Sequence, residues 1–221
     1  MRKSLILLIV ALAQPLLAAM TFTWESSERA TTPEKNFALA VGPFQFVAAR
    51  MTISDIIHVT QIGATMFSAD DEGTFFAAIL SLHDVTSLPG GNPLDGSEMG
   101  TTMFTAGSAV DDYFGITDIV LHPGHYAILI GSGEFGTSGL GGLSPNNIDH
   151  PWASYLRWTE EINPIIPFGG PIAYNSGAWA DVGSGGYRMF LEGTVIPEPS
   201  TGILMLFGFI AVWINRRIAQ Q

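Results

Sequence analysis

Tyr187-Arg188-Met189-Phe190-Leu191-Glu192-Gly193-Thr194-Val195 is the stretch that decides the fold. Tyr187, Met189 and Leu191 share one face, and Arg188, Glu192 and Thr194 the other, with Phe190 among them. A period of two with apolar residues on one side describes a half-buried strand, not a helix. Tyr126, Ile128 and Ile130 form a second such face, following Pro123-Gly124, which suits a type II turn. Phe44–Ile53, Ile56–Phe67 and Gly115–Leu121 are further strand candidates. Thr74–Leu82 (TFFAAILSL) is apolar on both faces. It reads as a central strand, with a short buried helix as the rival. Pro151–Ile162 is open between a helix and a strand over Ser154–Thr159. Strands roughly 10–15 residues apart, separated by Gly- and Pro-rich turns, predict an all-β, antiparallel two-sheet β-sandwich, jelly-roll-like in plan.

Outward from this core, composition narrows the function. The chain has 221 residues, 9 Lys+Arg, 20 Asp+Glu and no cysteine. Residues 20–194 hold 5 basic and 19 acidic side chains, a formal charge of −14. Such a surface lacks the cations that neutralise phosphates, so no nucleic-acid partner is expected. It also argues against residues 20–194 lying on an anionic membrane. Without cysteine there is no disulfide framework, no Cys zinc site and no thiol nucleophile.

The ends differ from the middle. Met1-Arg2-Lys3 is a short basic region, Ser4–Ala13 an apolar core, and Pro15 a helix breaker. Leu17-Ala18-Ala19 then offers small residues for cleavage. This is a signal-peptide pattern over 1–19, with processing after Ala18-Ala19 and a mature start near Met20; an uncleaved anchor is the alternative. At the other end, Thr201–Ile214 (TGILMLFGFIAVWI) is uncharged and is followed by Arg216 and Arg217. As a helix it reaches about 21 Å, marginal for a bilayer core of about 30 Å. Trp213 stands where an interfacial anchor belongs, and the arginines keep the tail cytoplasmic, which puts the middle domain across the membrane. A buried core helix is the alternative.

Pro197-Glu198-Pro199, the apolar run and the Arg pair together resemble the PEP-CTERM sorting signal. That resemblance covers residues 195–221. It implies a substrate of exosortase, a membrane-embedded processing enzyme of Gram-negative bacteria that make exopolysaccharide. The physical reading agrees, because two prolines forbid a continuous helix and hold Glu198 in an extended peptide. Ile196 stands where Val often directly precedes the tripeptide. Residues 20–194 also resemble the extracellular β-sandwich domains found ahead of such tails, through Leu121-His122-Pro123-Gly124-His125-Tyr126, the Gly-rich stretch after Ile130 and the closing strand Tyr187–Val195. The implied organisation is a signal peptide (1–19), an extracellular β-sandwich domain (20–194) and a sorting signal (195–221). The chain would be held briefly in the inner membrane through 201–214, then delivered to the cell surface or a biofilm matrix, with exopolysaccharide as a partner.

Chemistry in the middle domain is harder to find. Gly131-Ser-Gly133-Glu-Phe-Gly136 matches a dinucleotide fingerprint. The fingerprint needs a helix to start at the glycines, and Thr137–Asn147 is too rich in breakers to supply one, so a loop is expected. Asp70-Asp71-Glu72 provides hard oxygens for a structural Ca²⁺, against a plain solvated hairpin turn. Asn146, Asn147 and Asp149 form a weaker oxygen cluster. His122 and His125 flank the Pro-Gly turn without a carboxylate beside them, and surface histidines are the default. Trp152, Tyr155 and Trp158 offer flat faces for sugar rings, against core packing. No nucleophile elbow or single triad stands out. The reading is therefore a non-enzymatic structural or glycan-contacting module. A secreted hydrolase on the same sorting route, or an uncleaved single-span membrane protein, is the alternative.

Overall fold

The structure is a computed structural model that describes residues 20–29, 35, 38–43, 45–89, 98–145, 155–159, 178–183 and 186–197. Twelve strands are formed and no helix occurs among the described residues. They are β1 (Met20–Glu25), β2 (Leu39–Val41), β3 (Gln45–Ile53), β4 (Ile57–Ser68), β5 (Glu72–Leu82) and β6 (Glu98–Gly107). Then follow β7 (Asp111–Leu121), β8 (Gly124–Gly131), β9 (Gly141–Leu143), β10 (Tyr155–Thr159), β11 (Ala178–Gly183) and β12 (Met189–Val195).

The strands make two antiparallel six-stranded sheets. The first runs β1-β12-β4-β9-β2, with β7 also paired to β4. The second runs β11-β10-β3-β8-β5-β6. The Thr65 N–H donates to the Arg188 carbonyl at 2.9 Å, and its own carbonyl accepts from the Ser144 N–H at 3.1 Å. Both groups of one strand residue point the same way, so β9 takes over along β4 where β12 begins.

The two sheets close over one apolar layer. The alternating faces read from the sequence supply it: Met189 and Leu191 from β12, and Tyr126, Ile128 and Ile130 from β8. β4 contributes Ile57 and Val59, then Ile62, Ala64 and Met66. Its inward positions change from odd to even at an irregularity between Val59 and Gln61. An extra residue there lets a long strand keep apolar side chains inward while it bends.

Thr74–Leu82 lies within β5 and is a central strand, paired with β8 on one side and β6 on the other. Phe75, Ala77 and Ile79 face the inter-sheet core. Phe76, Ala78, Leu80 and Leu82 belong to a second buried cluster with Phe46, Ala48, Ala127, Leu129, Leu156 and Trp179. All of these come from the second sheet, so its outer face is also an apolar layer. That explains why β5 has no polar face.

Two expectations change, and one open reading is resolved. Pro123-Gly124 is not a type II turn: Gly124 is absent from the positive-φ glycines and already pairs with Ile53. Leu121 pairs with Ile57 in the first sheet, so His122-Pro123 carries the chain from one sheet to the other. Asp70-Asp71 is likewise no hairpin turn, since β4 and β5 lie in different sheets. The open segment around Ser154–Thr159 forms a strand, β10.

Candidate functional site

β1 and β12 bring the two ends of the described domain together. Met20 is in register with Val195, and the pairing continues to Glu25 opposite Phe190. Buried serines secure the far end of the pair. Ser26 Oγ donates to the Tyr187 carbonyl at 2.6 Å, and Ser27 Oγ donates to that of Gly186 at 3.1 Å. Beyond β12, the Ile196 N–H donates to the Ile56 carbonyl at 2.8 Å. Pro197 is then exposed. The first residue of the sequence-predicted processing motif therefore stands one residue from a backbone bond to the sandwich. Glu198, Pro199, Arg216 and Arg217 lie outside the described residues, as do Ala18 and Ala19 and the apolar run 201–214. No helix long and apolar enough to cross a membrane occurs among the described residues.

The other candidates are placed as follows. Asp70, Asp71 and Glu72 are exposed on the β4–β5 crossing. Among the described residues no three His, Asp or Glu side chains converge as a metal site would require. Gly133 and Gly136 adopt φ of 88° and 80°, and Phe135 53°. This is a tight loop in which the Gly133 N–H donates to the Thr137 carbonyl at 3.0 Å. It does not open a helix, as expected. The His125 ring Nδ1 lies 3.0 Å from Thr52 Oγ1, while the His122 carbonyl accepts from Tyr126 Oη at 2.8 Å. Burial raises the Tyr126 phenol above its ordinary value, and that hydrogen bond partly opposes the rise. Tyr155 and Trp158 lie on β10, with Trp158 in register with Phe46 and Trp179. Trp152, Asn146, Asn147 and Asp149 lie outside the described residues.

One polar cluster was missed in the sequence. Arg188, nearly buried on the outer face of the first sheet, donates to Glu25 at 2.8 Å and pairs with Asp112 at 2.7 Å. Thr65 Oγ1 also donates to Asp112 at 2.5 Å. Arg29 reaches Asp111 at 2.7 Å and Asp112 at 3.4 Å. The Arg188 guanidinium carbon lies 4.6 Å from the Phe190 ring centre. Burial opposes its charge, but Glu25 and Asp112 outweigh that and hold its pKa above the ordinary arginine value. Alternation marked Arg188 and Glu192 as outward, but no local signal links Arg188 to residues 76 and 163 positions away. Arg188 pairs through both terminal nitrogens while its buried Nε has no hydrogen-bond partner among the described residues, so the cluster acts as a clamp that ties β1 and β7 to the residue before β12.

No family model matches the chain, and no curated protein matches it. Among solved structures it is similar to an aminopeptidase from the marine sediment archaeon Thaumarchaeota archaeon, at 12% identity and a TM-score of 0.27. The match covers 80% of this chain and 32% of that one, so the chain spans about a third of the aminopeptidase's length. A likeness at that distance carries no argument about activity.

Proposed function

We propose that this chain is an exported, non-enzymatic surface or matrix protein with a jelly-roll-like β-sandwich, sorted and processed by exosortase through residues 195–221. It sits in the inner membrane through residues 201–214 before processing. It then serves in the exopolysaccharide matrix as a structural or glycan-contacting module. The observation that carries the reading is the ordered tail: Pro197-Glu198-Pro199, an uncharged run, then Arg216-Arg217, combined with a signal-peptide pattern at residues 1–19. The exposure of Pro197 directly after the closing strand is compatible with a processing enzyme gripping an extended peptide there. Replacing Pro197, Glu198 and Pro199 together by alanine should leave full-length precursor in the inner membrane, as read by fractionation and C-terminal mass spectrometry. Normal maturation of that variant would end the sorting reading.

A further inference from the structure

β1 ends the first sheet, paired with β12 on one side and with no described strand on the other. The direction of its backbone groups follows from one bond. The Ser26 N–H donates to the Met189 carbonyl, which continues the β1–β12 register. Backbone groups of an antiparallel strand alternate sides, so Met20, Phe22 and Trp24 bond toward β12, and Thr21, Thr23 and Glu25 toward the open side. The open edge therefore offers the N–H and carbonyl groups of those last three residues. Phe22 and Trp24 pack on the inter-sheet core but stay only partly buried, because that layer ends at β1. Open edges are normally blunted by brevity, lysine, proline, bulges or a covering element. β2 has three residues, and β6 and β7 lie against each other, Thr102 Oγ1 donating to the Ile116 carbonyl at 2.6 Å. β11 pairs with β10 through an irregular register. β1 is six residues long, regular in its pairing and free of Lys, Pro and Gly. Its one charge, Glu25, is turned onto Arg188.

We propose that this edge is an interaction surface for a second copy of the chain, β1 against β1 about a two-fold axis through Thr23. The strand's own sequence selects that register. Opposed residues of antiparallel strands share a face, so Phe22 and Trp24 must meet inward residues of the other copy. With Thr23 on the axis, Thr23 faces the partner's Thr23, and Thr21 faces the partner's Glu25. Every open-side residue of β1 then sits in a hydrogen-bonded pair, which exchanges both backbone bonds. On the inner face Phe22 meets the partner's Trp24 in the closer, non-hydrogen-bonded position, where aromatic pairs stabilise a sheet. An axis at Phe22 or Trp24 leaves one open-side residue of each copy unpaired. The charges fit as well. The two Glu25 carboxylates stand at opposite ends of the paired strands, each beside its own Arg188, so no like charges oppose. The contact is isologous and closed, and it joins the two first sheets into one.

The chain has no cysteine, so one introduced thiol reports one position. The full-length chain is purified in mild detergent with micelles in excess over chains, and its protein mass is read by light scattering. The native chain should be a dimer. Thr23→Cys should oxidise to a disulfide-linked dimer, since paired Cα atoms about 5.5 Å apart lie within disulfide reach. Thr21→Cys should not, because its counterpart lies four residues along the strand, roughly 14 Å away. Ile116→Cys, exposed on β7 of the same sheet, should also stay unlinked. Thr23→Lys sets two ammonium groups face to face and should raise the dissociation constant at least about tenfold, whereas Thr23→Val should keep the dimer. Thr23 is exposed, so circular dichroism should show both variants folded, and the thiol variants decide alone if the lysine variant unfolds. A monomeric native chain overturns the proposal, whether the Thr23 amide exchanges freely or is protected by another segment of the same chain. A dimer that survives Thr23→Lys, or that links through Thr21→Cys or Ile116→Cys and not through Thr23→Cys, also overturns it. None of these readouts depends on how residues 195–221 are processed.

Discussion

Arg188, the residue just before the last strand, donates to Glu25 on the first at 2.8 Å, so the first and last strands, neighbours in one sheet, are tied by an ion pair as well as by their backbone ladder. Arg188 is 7% exposed, and its partners Glu25 and Asp112 are only partly open to water. Its guanidinium satisfies two carboxylates and stacks on Phe190, which a lysine's single ammonium cannot do.

Arg188→Ala should therefore destabilise the domain by about 2 kcal/mol, below the 3–5 kcal/mol of a fully buried broken pair, because both acids keep some solvent. Arg188→Lys should recover part of that loss. Chemical denaturation of the three proteins checks both. Removing Glu25 as well should cost less than the sum of the two single losses, since each change disrupts the same pair.

Gly63 of β4 predicts a second, steric effect. A β-carbon there would meet the Tyr113 carbonyl, and would lie 2.7 Å from both Phe114 Cβ and Phe190 Cζ. The Phe190 and Phe114 rings pack edge to face, 6.5 Å apart, over this gap. One obstacle is backbone in a paired strand, so relaxation is limited. Gly63→Ala should cost about 1–3 kcal/mol, and Gly63→Val more, in thermal unfolding. The same substitutions should expose Phe190 to solvent, which a fluorinated phenylalanine probe would detect.

What the sequence exposed and what it hid follow from range. Alternation in Tyr187–Val195 and Tyr126–Ile130 identified the inward faces because each strand is regular. The double-apolar Thr74–Leu82 marked a strand buried on both faces, and β5 is one. β6 lacks that signal: from Glu98 to Thr105 its exposed Met99 and Met103 alternate with small or half-buried residues, and only Phe104 and Ala106 point into the core. β4 breaks its own period beside Thr60, so a single phase fits only half of it. The sheet crossings at Asp70-Asp71 and Pro123-Gly124 were read as turns, because turn residues record where a chain bends and not which partner follows. Among the site candidates, only the loop character of Gly131–Gly136 was legible; the Arg188 network depends on strand order, which no local window contains.

Tyr126 makes a corner contact that can be measured. Its hydroxyl donates to the His122 carbonyl at 2.8 Å while its ring lies in the inter-sheet core. The bond fixes the crossing between β7 and β8, four residues back along the chain. Tyr126→Phe keeps the ring and removes the donor, leaving a part-buried carbonyl to find water. The expected loss is about 1 kcal/mol, seen as a lower denaturation midpoint with an unchanged slope. Tyr126→Ala should cost about 3–5 kcal/mol, because it also opens a cavity between the sheets.

Asp84 gives a pH-dependent prediction. Its carboxylate accepts from the Thr86 hydroxyl and the Thr86 N–H, both at 2.7 Å, while the Asp84 N–H donates to Ser87 Oγ at 3.2 Å. The Thr86 hydroxyl, then the Thr86 N–H and Ser87, lower its pKa from 3.8 to about 2. The same turn presents the Thr86 and Ser87 carbonyls to Arg50, at 3.0 and 3.1 Å, and so fastens the segment after β5 to the second sheet. A carboxyl lowered by folding stabilises the native turn fully above its unfolded pKa and loses that contribution as pH falls from about 4 toward 2. Acid should therefore loosen residues 83–88. Carbon-detected NMR titration should place the Asp84 midpoint near 2, and amide exchange at Thr86 should accelerate over the same interval. Asp84→Asn should remove the titration and leave Thr86 exchange flat with pH after correction for intrinsic chemistry. A midpoint for Asp84 at the ordinary carboxylate value would show that Thr86 does not hold it.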